Sequence, residues 1–122
     1  MKWNWVTFQV NNLEKSIQFY TEALKFEVAS RFGSDDHQIV MLGKADEPKL
    51  ELIWEKEKQL QGLGRGVSIG FEMEELDQLV QSLKGQGHSV EGPIAPNPHI
   101  RFFFVEDPDG YRIQLVEQKL SK

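Results

Sequence analysis

The chain has no cysteine, which excludes disulfides, thiolate metal sites and a cysteine nucleophile and leaves redox chemistry silent about compartment. Histidine is scarce: His37, His88 and His99 are the only three, and each falls beside a turn, where a solvated or locally hydrogen-bonded ring is expected. Basic charge is short as well. With 14 Lys and Arg against 19 Asp and Glu, the formal net charge is −5. No basic stripe exists to release phosphate counterions, so neither nucleic acid nor an anionic membrane is expected as a partner. No apolar run approaches the roughly 18 residues of a membrane span. The opening Met1-Lys2-Trp3-Asn4-Trp5 lacks the apolar core of a signal peptide, and a cytoplasmic location is expected. What remains is an ordinary globular composition, 39% hydrophobic and 27% charged, whose acidity suits a cationic ligand.

The positive signal is an internal repeat at an offset of 63 residues. Val6, Phe8 and Val10 fall on Ile69, Phe71 and Met73; Leu13, Ile17 and Tyr20 fall on Leu76, Val80 and Leu83; Leu50 and Leu52 fall on Ile113 and Leu115. Apolar agreement over separate segments marks two copies of one supersecondary unit of about 60 residues. A unit that small hides too little apolar surface to be secure alone. One domain over 1–122 is therefore expected, with module one at 1–55, a polar, glycine-containing linker at 56–66 and module two at 67–118.

Residues 3–10 alternate, placing Val6, Phe8 and Val10 on one face of a strand and Trp3, Trp5, Thr7 and Gln9 on the other. Asn12 can cap a helix whose stripe is Leu13, Ile17, Tyr20 and Leu24. Three further strands are predicted around Phe26–Arg31, Gln38–Leu42 and Lys49–Trp54. The second copy predicts a strand at Val67–Met73, a helix at Leu76–Lys84 and strands near His88–Glu91, Ile100–Val105 and Tyr111–Glu117. In Asp107-Pro108-Asp109-Gly110, Pro presets the first corner and Gly takes positive φ, which predicts a tight hairpin turn. The expected fold class is α+β, two tandem β-α-β-β-β modules.

This order, with Val10-Asn11-Asn12-Leu13-Glu14-Lys15-Ser16-Ile17-Gln18-Phe19-Tyr20 early and Phe104-Val105-Glu106-Asp107-Pro108-Asp109-Gly110-Tyr111-Arg112-Ile113-Gln114-Leu115 late, resembles the vicinal oxygen chelate superfamily. That group holds glyoxalase I, extradiol dioxygenases, and fosfomycin- and bleomycin-resistance proteins. The resemblance covers essentially the whole chain and implies a curved mixed sheet with the helices outside and a cleft inside. It also implies a homodimer. In the metal-dependent members a divalent ion is held by residues of the first and last strands of each module. The matching positions are Trp5, Glu51, Ser68 and Gln114, and the repeat pairs Trp5 with Ser68 and Glu51 with Gln114 at the same offset.

The chemistry of those four residues argues against a metal. Zinc and nickel sites want imidazole, carboxylate or thiolate, and a dioxygenase iron site wants two histidines and a carboxylate. An indole cannot ligate a cation, a serine and an amide are neutral, and one carboxylate does not offset the dehydration of a dipositive ion. No metal and no cofactor are expected.

Glu51 then has two readings: a cleft carboxylate paired with an arginine or left wet, or an anchor for a ligand cation, and the best candidate for a general base if there is turnover. Trp5 either stacks on a planar or cationic ligand or fills the space a metal leaves. Arg101 is either a solvated strand-end residue or, if Phe102 and Phe104 face the helix, a cleft residue that partners Glu51 or a ligand anion; Arg112 shares parity with Gln114. His99 belongs to a loop, Pro96–His99, that could cover one end of the cleft. The expected ligand-binding set is Trp5, Thr7, Glu51, Ser68, Arg101 and Gln114. The leading function is metal-independent binding of a small molecule. An enzyme of the same superfamily, a lyase, isomerase or dioxygenase-like protein, is the alternative, metal-free with Glu51 as base or metal-dependent through a degenerate site. A bare interaction module is the third reading.

Overall fold

A computed structural model describes residues 1–119. The chain divides into two compact units, Met1–Leu63 and a second beginning at Gly64. In the first unit β1 (Trp5–Gln9) leads into α1 (Leu13–Gln18) and then β2 (Val28–Gly33), β3 (His37–Leu42) and β4 (Lys49–Glu55). In the second, β5 (Ser68–Glu72) leads into α2 (Leu76–Gly85), β6 (Glu91–Asn97), β7 (Ile100–Glu106) and β8 (Arg112–Gln118). Each unit forms its own four-stranded mixed sheet, in the order β1-β4-β3-β2 and β5-β8-β7-β6. The first and last strands of a unit run parallel and the other pairs antiparallel. The expected α+β architecture of two β-α-β-β-β modules is thus realised as one mixed sheet per module.

The offset of 63 holds for the elements themselves: β1 begins at Trp5 and β5 at Ser68, α1 at Leu13 and α2 at Leu76, β4 at Lys49 and β8 at Arg112. In each unit the apolar stripe of the helix packs on one face of the sheet. Phe8, Leu50 and Leu52 are buried in the first unit, and Ile113, Leu115, Phe103 and Val105 in the second. Trp54 lies on the same face of β4 as Leu50 and Leu52 but stays half-buried at its end.

Asn12 caps α1 as expected, its side-chain oxygen accepting the Lys15 amide at 3.0 Å. The helix then departs from the expected three α-helical turns. Phe19–Ala23 is π-helical, with the Leu24 amide reaching back to the Phe19 carbonyl. The wider turn rotates Phe19 and Ala23 into the core beside Tyr20 and leaves Ile17 only half-buried. The Tyr20 ring packs edge-on against Phe19 at 5.1 Å and stacks on Phe26 at 5.8 Å.

α2 ends as the Gly85-Gln86-Gly87 run predicts. The His88 amide bonds to the Leu83 carbonyl and the Gly87 amide to that of Lys84, with Gly87 at φ +92°, a Schellman closure that a β-carbon would strain. The following strand is displaced from its expected place near His88–Glu91. It begins at Glu91 and runs to Asn97, because the helix cap occupies residues 86–88 and pairing with β7 proceeds past Pro93 and Pro96 through two irregular steps. The loop expected over Pro96–His99 shrinks accordingly to a turn at Pro98-His99, where the Asn97 side chain accepts the His99 amide.

The Asp107–Gly110 turn forms as predicted. Buried Asp107 accepts the amides of Asp109 and Tyr111 through one carboxylate oxygen, both at 2.9 Å, and Gly110 sits at φ +89°. The segment after β4 is more ordered than a polar linker suggests. Asn11 holds Leu60 by both of its backbone groups, at 2.9 Å and 2.8 Å. No helix among the described residues is long and apolar enough to cross a membrane.

Candidate functional site

The face of each sheet turned away from its helix carries the polar and aromatic side chains. On the first unit it presents Trp5, Thr7 and Gln9 from β1 and Lys49, Glu51 and Ile53 from β4, set side by side by the parallel register. Met41 and Ile39 of β3 continue the rows from Glu51 and Ile53. Thr7 is the Cα partner of Glu51, and its hydroxyl donates to the carboxylate at 2.6 Å. One oxygen of Glu51 is thereby fixed. Trp5, one step along the same face, is 55% exposed. Lys49 is turned into the neighbouring loop, where its ammonium donates to the carbonyls of Lys44 and Glu47.

The corresponding face of the second unit presents Ser68 and Gly70 from β5, Arg112 and Gln114 from β8, and Phe102 and Phe104 from β7. Gly70 stands where the first unit has Thr7, beside Gln114 instead of Glu51. A β-carbon there would come within 3.1 Å of the Gln114 side-chain oxygen, so the glycine leaves room for the amide. Phe102 and Phe104 meet edge to face at 5.6 Å. The Arg112 guanidinium lies 3.8 Å over the Phe104 ring and donates to Glu91 at 2.7 Å. Beside them is a groove of about 400 Å³ whose lining includes His88, Glu91, Phe104, Glu106 and Arg112.

Of the expected ligand set, Trp5, Thr7 and Glu51 come together on the first unit and Ser68 and Gln114 on the second. Arg101 does not join them. The strand register puts Phe103 and Val105 in the core, so Arg101 shares the helix-covered face with them. Its guanidinium holds Glu117 of the neighbouring strand at 2.8 Å and Asp77 of α2 at 2.9 Å. Those hydrogen bonds hold both carboxyls below the ordinary carboxylate range and raise the arginine further. Arg101 is therefore a helix-to-sheet tie, and the arginine on the helix-free face is Arg112. The pattern in Arg101-Phe102-Phe103-Phe104 hid this, because phenylalanine occupies both faces and alternation alone cannot choose between them. The available signal was Arg112 itself, in parity with Gln114 and 63 residues after Lys49.

The donors at the four positions matched to metal ligands do not suit a divalent cation. Trp5 and Ser68 begin their strands with an indole and a hydroxyl, Gln114 brings a neutral amide, and the single carboxylate, Glu51, already accepts the Thr7 hydroxyl. Among the described residues no group of three or more His, Asp or Glu side chains is arranged to hold a metal ion.

Comparison with known proteins agrees with the architecture. The lactoylglutathione lyase of Neisseria meningitidis serogroup A is 32% identical over 120 residues, covering 91% of this chain and 86% of that protein. A probable lactoylglutathione lyase of Synechocystis is 28% identical, with 93% of each chain covered. Among solved structures, the trypanothione-dependent glyoxalase I of Leishmania major superposes with a TM-score of 0.76 at 25% identity, over 96% of this chain and 86% of that one. An antibiotic-binding protein of Streptomyces sp. CB03234 shares the fold with a TM-score of 0.76 at 19% identity, over 98% and 97% of the two chains. The profile of one family spans residues 2–115. With the repeated β-α-β-β-β order and the Asp107–Gly110 turn already in place, that match assigns the chain to the Glyoxalase/Bleomycin resistance protein/Dioxygenase superfamily.

Proposed function

We propose that this chain binds a small molecule without a metal, through the helix-free faces of its sheets. The observation that carries the reading is the donor chemistry at the four ligand-equivalent positions, where Glu51 is the one anion and Thr7 already engages it. A carboxylate oriented by a hydroxyl, next to an exposed indole, suits an organic cation: the charge pairs with Glu51 and the ring of Trp5 stacks on the apolar or cationic body. The homodimer, which rests on the family resemblance, and the cytoplasmic setting expected from the sequence belong to the same proposal.

The test is titration of the full-length protein with organic cations of graded size, read by tryptophan fluorescence. Glu51→Gln is expected to weaken cation binding about tenfold or more, the scale of a charge-assisted hydrogen bond. Trp5→Phe, at a half-exposed site, is expected to cost about two- to fivefold. Affinities unchanged in Glu51→Gln would reject the reading and favour a bare interaction module.

A second reading is favoured by the relatives named lactoylglutathione lyase. In it the chain is an enzyme of that kind, using Glu51 as a base or a metal bound at a degenerate site. Assays for lactoylglutathione lyase activity in chelator and with added Zn²⁺ or Ni²⁺ separate the two. No turnover above background is expected under either condition. Turnover that Glu51→Gln abolishes would install the enzyme reading in place of the binding one.

A further inference from the structure

We propose that Arg112 is a carboxylate-binding residue, preorganised on Phe104 and occupied in the free protein by the side chain of Glu91. Three observations carry this. The guanidinium carbon lies 3.8 Å from the centre of the Phe104 ring, a cation–π distance that seats the fork against the ring. Phe104 is itself steadied by the edge of Phe102. Finally, the partner is weakly committed: one contact, Nη2 to Oε1 at 2.7 Å, joins side chains that are 41% and 61% exposed. A pair that open contributes little to stability, so an incoming carboxylate can exchange with Glu91 at small cost.

Arg101, eleven residues earlier, shows what commitment looks like in the same hairpin. It holds two carboxylates and connects two elements. Arg112 holds one, at the start of an inner strand, above a ring.

The surroundings indicate the direction of approach. Glu106, the Cα partner of Arg112 across β7 and β8, lines the groove on one side and would repel an anion. The neutral neighbour is Gln114, the next residue on the same face of β8 and the Cα partner of Phe104; Ser68, the Cα partner of Arg112 across β5 and β8, lies on the side away from Glu91. A ligand carboxylate entering there meets a planar guanidinium and the neutral Gln114 amide, with Phe102 placed to contact an aromatic or otherwise planar body. The expected class is an aromatic carboxylate. The inference rests on the small-molecule reading only in taking this face to meet a ligand. Its probes and variants all lie in the second unit, so it can fail while the role of Glu51 stands.

The probes are benzoate and its neutral isostere benzamide, titrated into the ¹⁵N-labelled full-length protein while the Arg112 Nε–Hε and Gln114 side-chain amide resonances are followed. Benzoate is expected to shift both saturably, with benzamide about tenfold weaker or worse. Arg112→Lys, which keeps the charge but loses the planar fork, should weaken benzoate about tenfold. Glu91→Gln removes the internal competitor and leaves Arg112 on its ring, so benzoate should bind about three- to tenfold tighter. The tightening is the arm that a merely structural ion pair would not produce. Absence of a saturable benzoate response at millimolar concentration, equal affinity for benzamide, or weaker binding in Glu91→Gln would each overturn the proposal.

Discussion

The two units carry the same strands in the same order, yet each ties its helix to its sheet with a different arginine. In the first, Arg31 of edge strand β2 reaches Glu14 of α1 at 2.6 Å and Gln38 of β3 at 2.9 Å. In the second, Arg101 of β7 reaches Asp77 of α2 and Glu117 of β8. Glu14 and Asp77 are equivalent at the offset of 63, and so are Gln38 and Arg101. The acidic end of the tie has kept its place in the repeat while the basic end has moved from one strand to another. The helix-free faces differ more deeply. Thr7 and Glu51 correspond to Gly70 and Gln114, and the withdrawn Lys49 corresponds to Arg112 stacked on Phe104. Backbone and core constrain the repeat strongly; the faces that could meet a ligand have diverged toward an acid in one unit and a base in the other.

The comparison is broken most severely through the core. Leu52 and Leu115 are equivalent and both fully buried. Leu52→Ala and Leu115→Ala should each destabilise by about 2–5 kcal/mol and agree within about 1 kcal/mol in urea denaturation. A large loss from one and little from the other would show that the repeat does not extend to the packing.

The ties give a smaller effect with a pH signature. Arg101→Met should lower stability more than Arg31→Met, since Arg101 serves two carboxylates that connect a helix and a strand. The hydrogen bonds from Arg101 depress both acids. Their contribution is therefore present above the unfolded carboxylate pKa and lost as pH falls through the folded values. The difference between wild type and Arg101→Met should be full at neutral pH and shrink below about pH 4. A difference independent of pH would reassign Arg101 to simple packing.

A finer contrast concerns Thr7 and Gly70. Thr7→Val removes the hydroxyl that fixes Glu51 and should weaken cation binding about two- to tenfold, less than Glu51→Gln does. Gly70→Ala should leave cation binding unchanged while crowding Gln114. Calorimetric titration of the two variants side by side checks this, and equal losses from both would remove the distinction between the faces.

Most of the fold was legible because the signals were redundant. The alternation in residues 3–10, the cap at Asn12, the closure at Gly87 and the Asp107–Gly110 turn each have a local chemical cause, and the repeat states them twice. The π turn at Phe19–Ala23 was not legible, because Leu13, Ile17, Tyr20 and Leu24 satisfy an α-helical stripe and only packing reveals that Phe19 and Ala23 displace Ile17. The start of β6 was misplaced for a related reason: the helix cap consumes residues that read as a strand. In the site, β1, β4, β5 and β8 were placed correctly since each has one apolar and one polar face. β7 also lies where its strand is expected, but its faces do not read from the sequence: three consecutive phenylalanines erase the alternation, which puts Arg101 on the wrong side and conceals the stacking of Arg112 on Phe104.

The account depends on Trp5, Glu51, Ser68 and Gln114 serving recognition and not metal coordination. The most direct measurement is elemental analysis of the full-length protein purified without chelator, with Glu51→Ala as the control. The account predicts far less than one equivalent of Zn, Ni, Mn or Fe in both. One equivalent in the wild type, lost in Glu51→Ala, would contradict it.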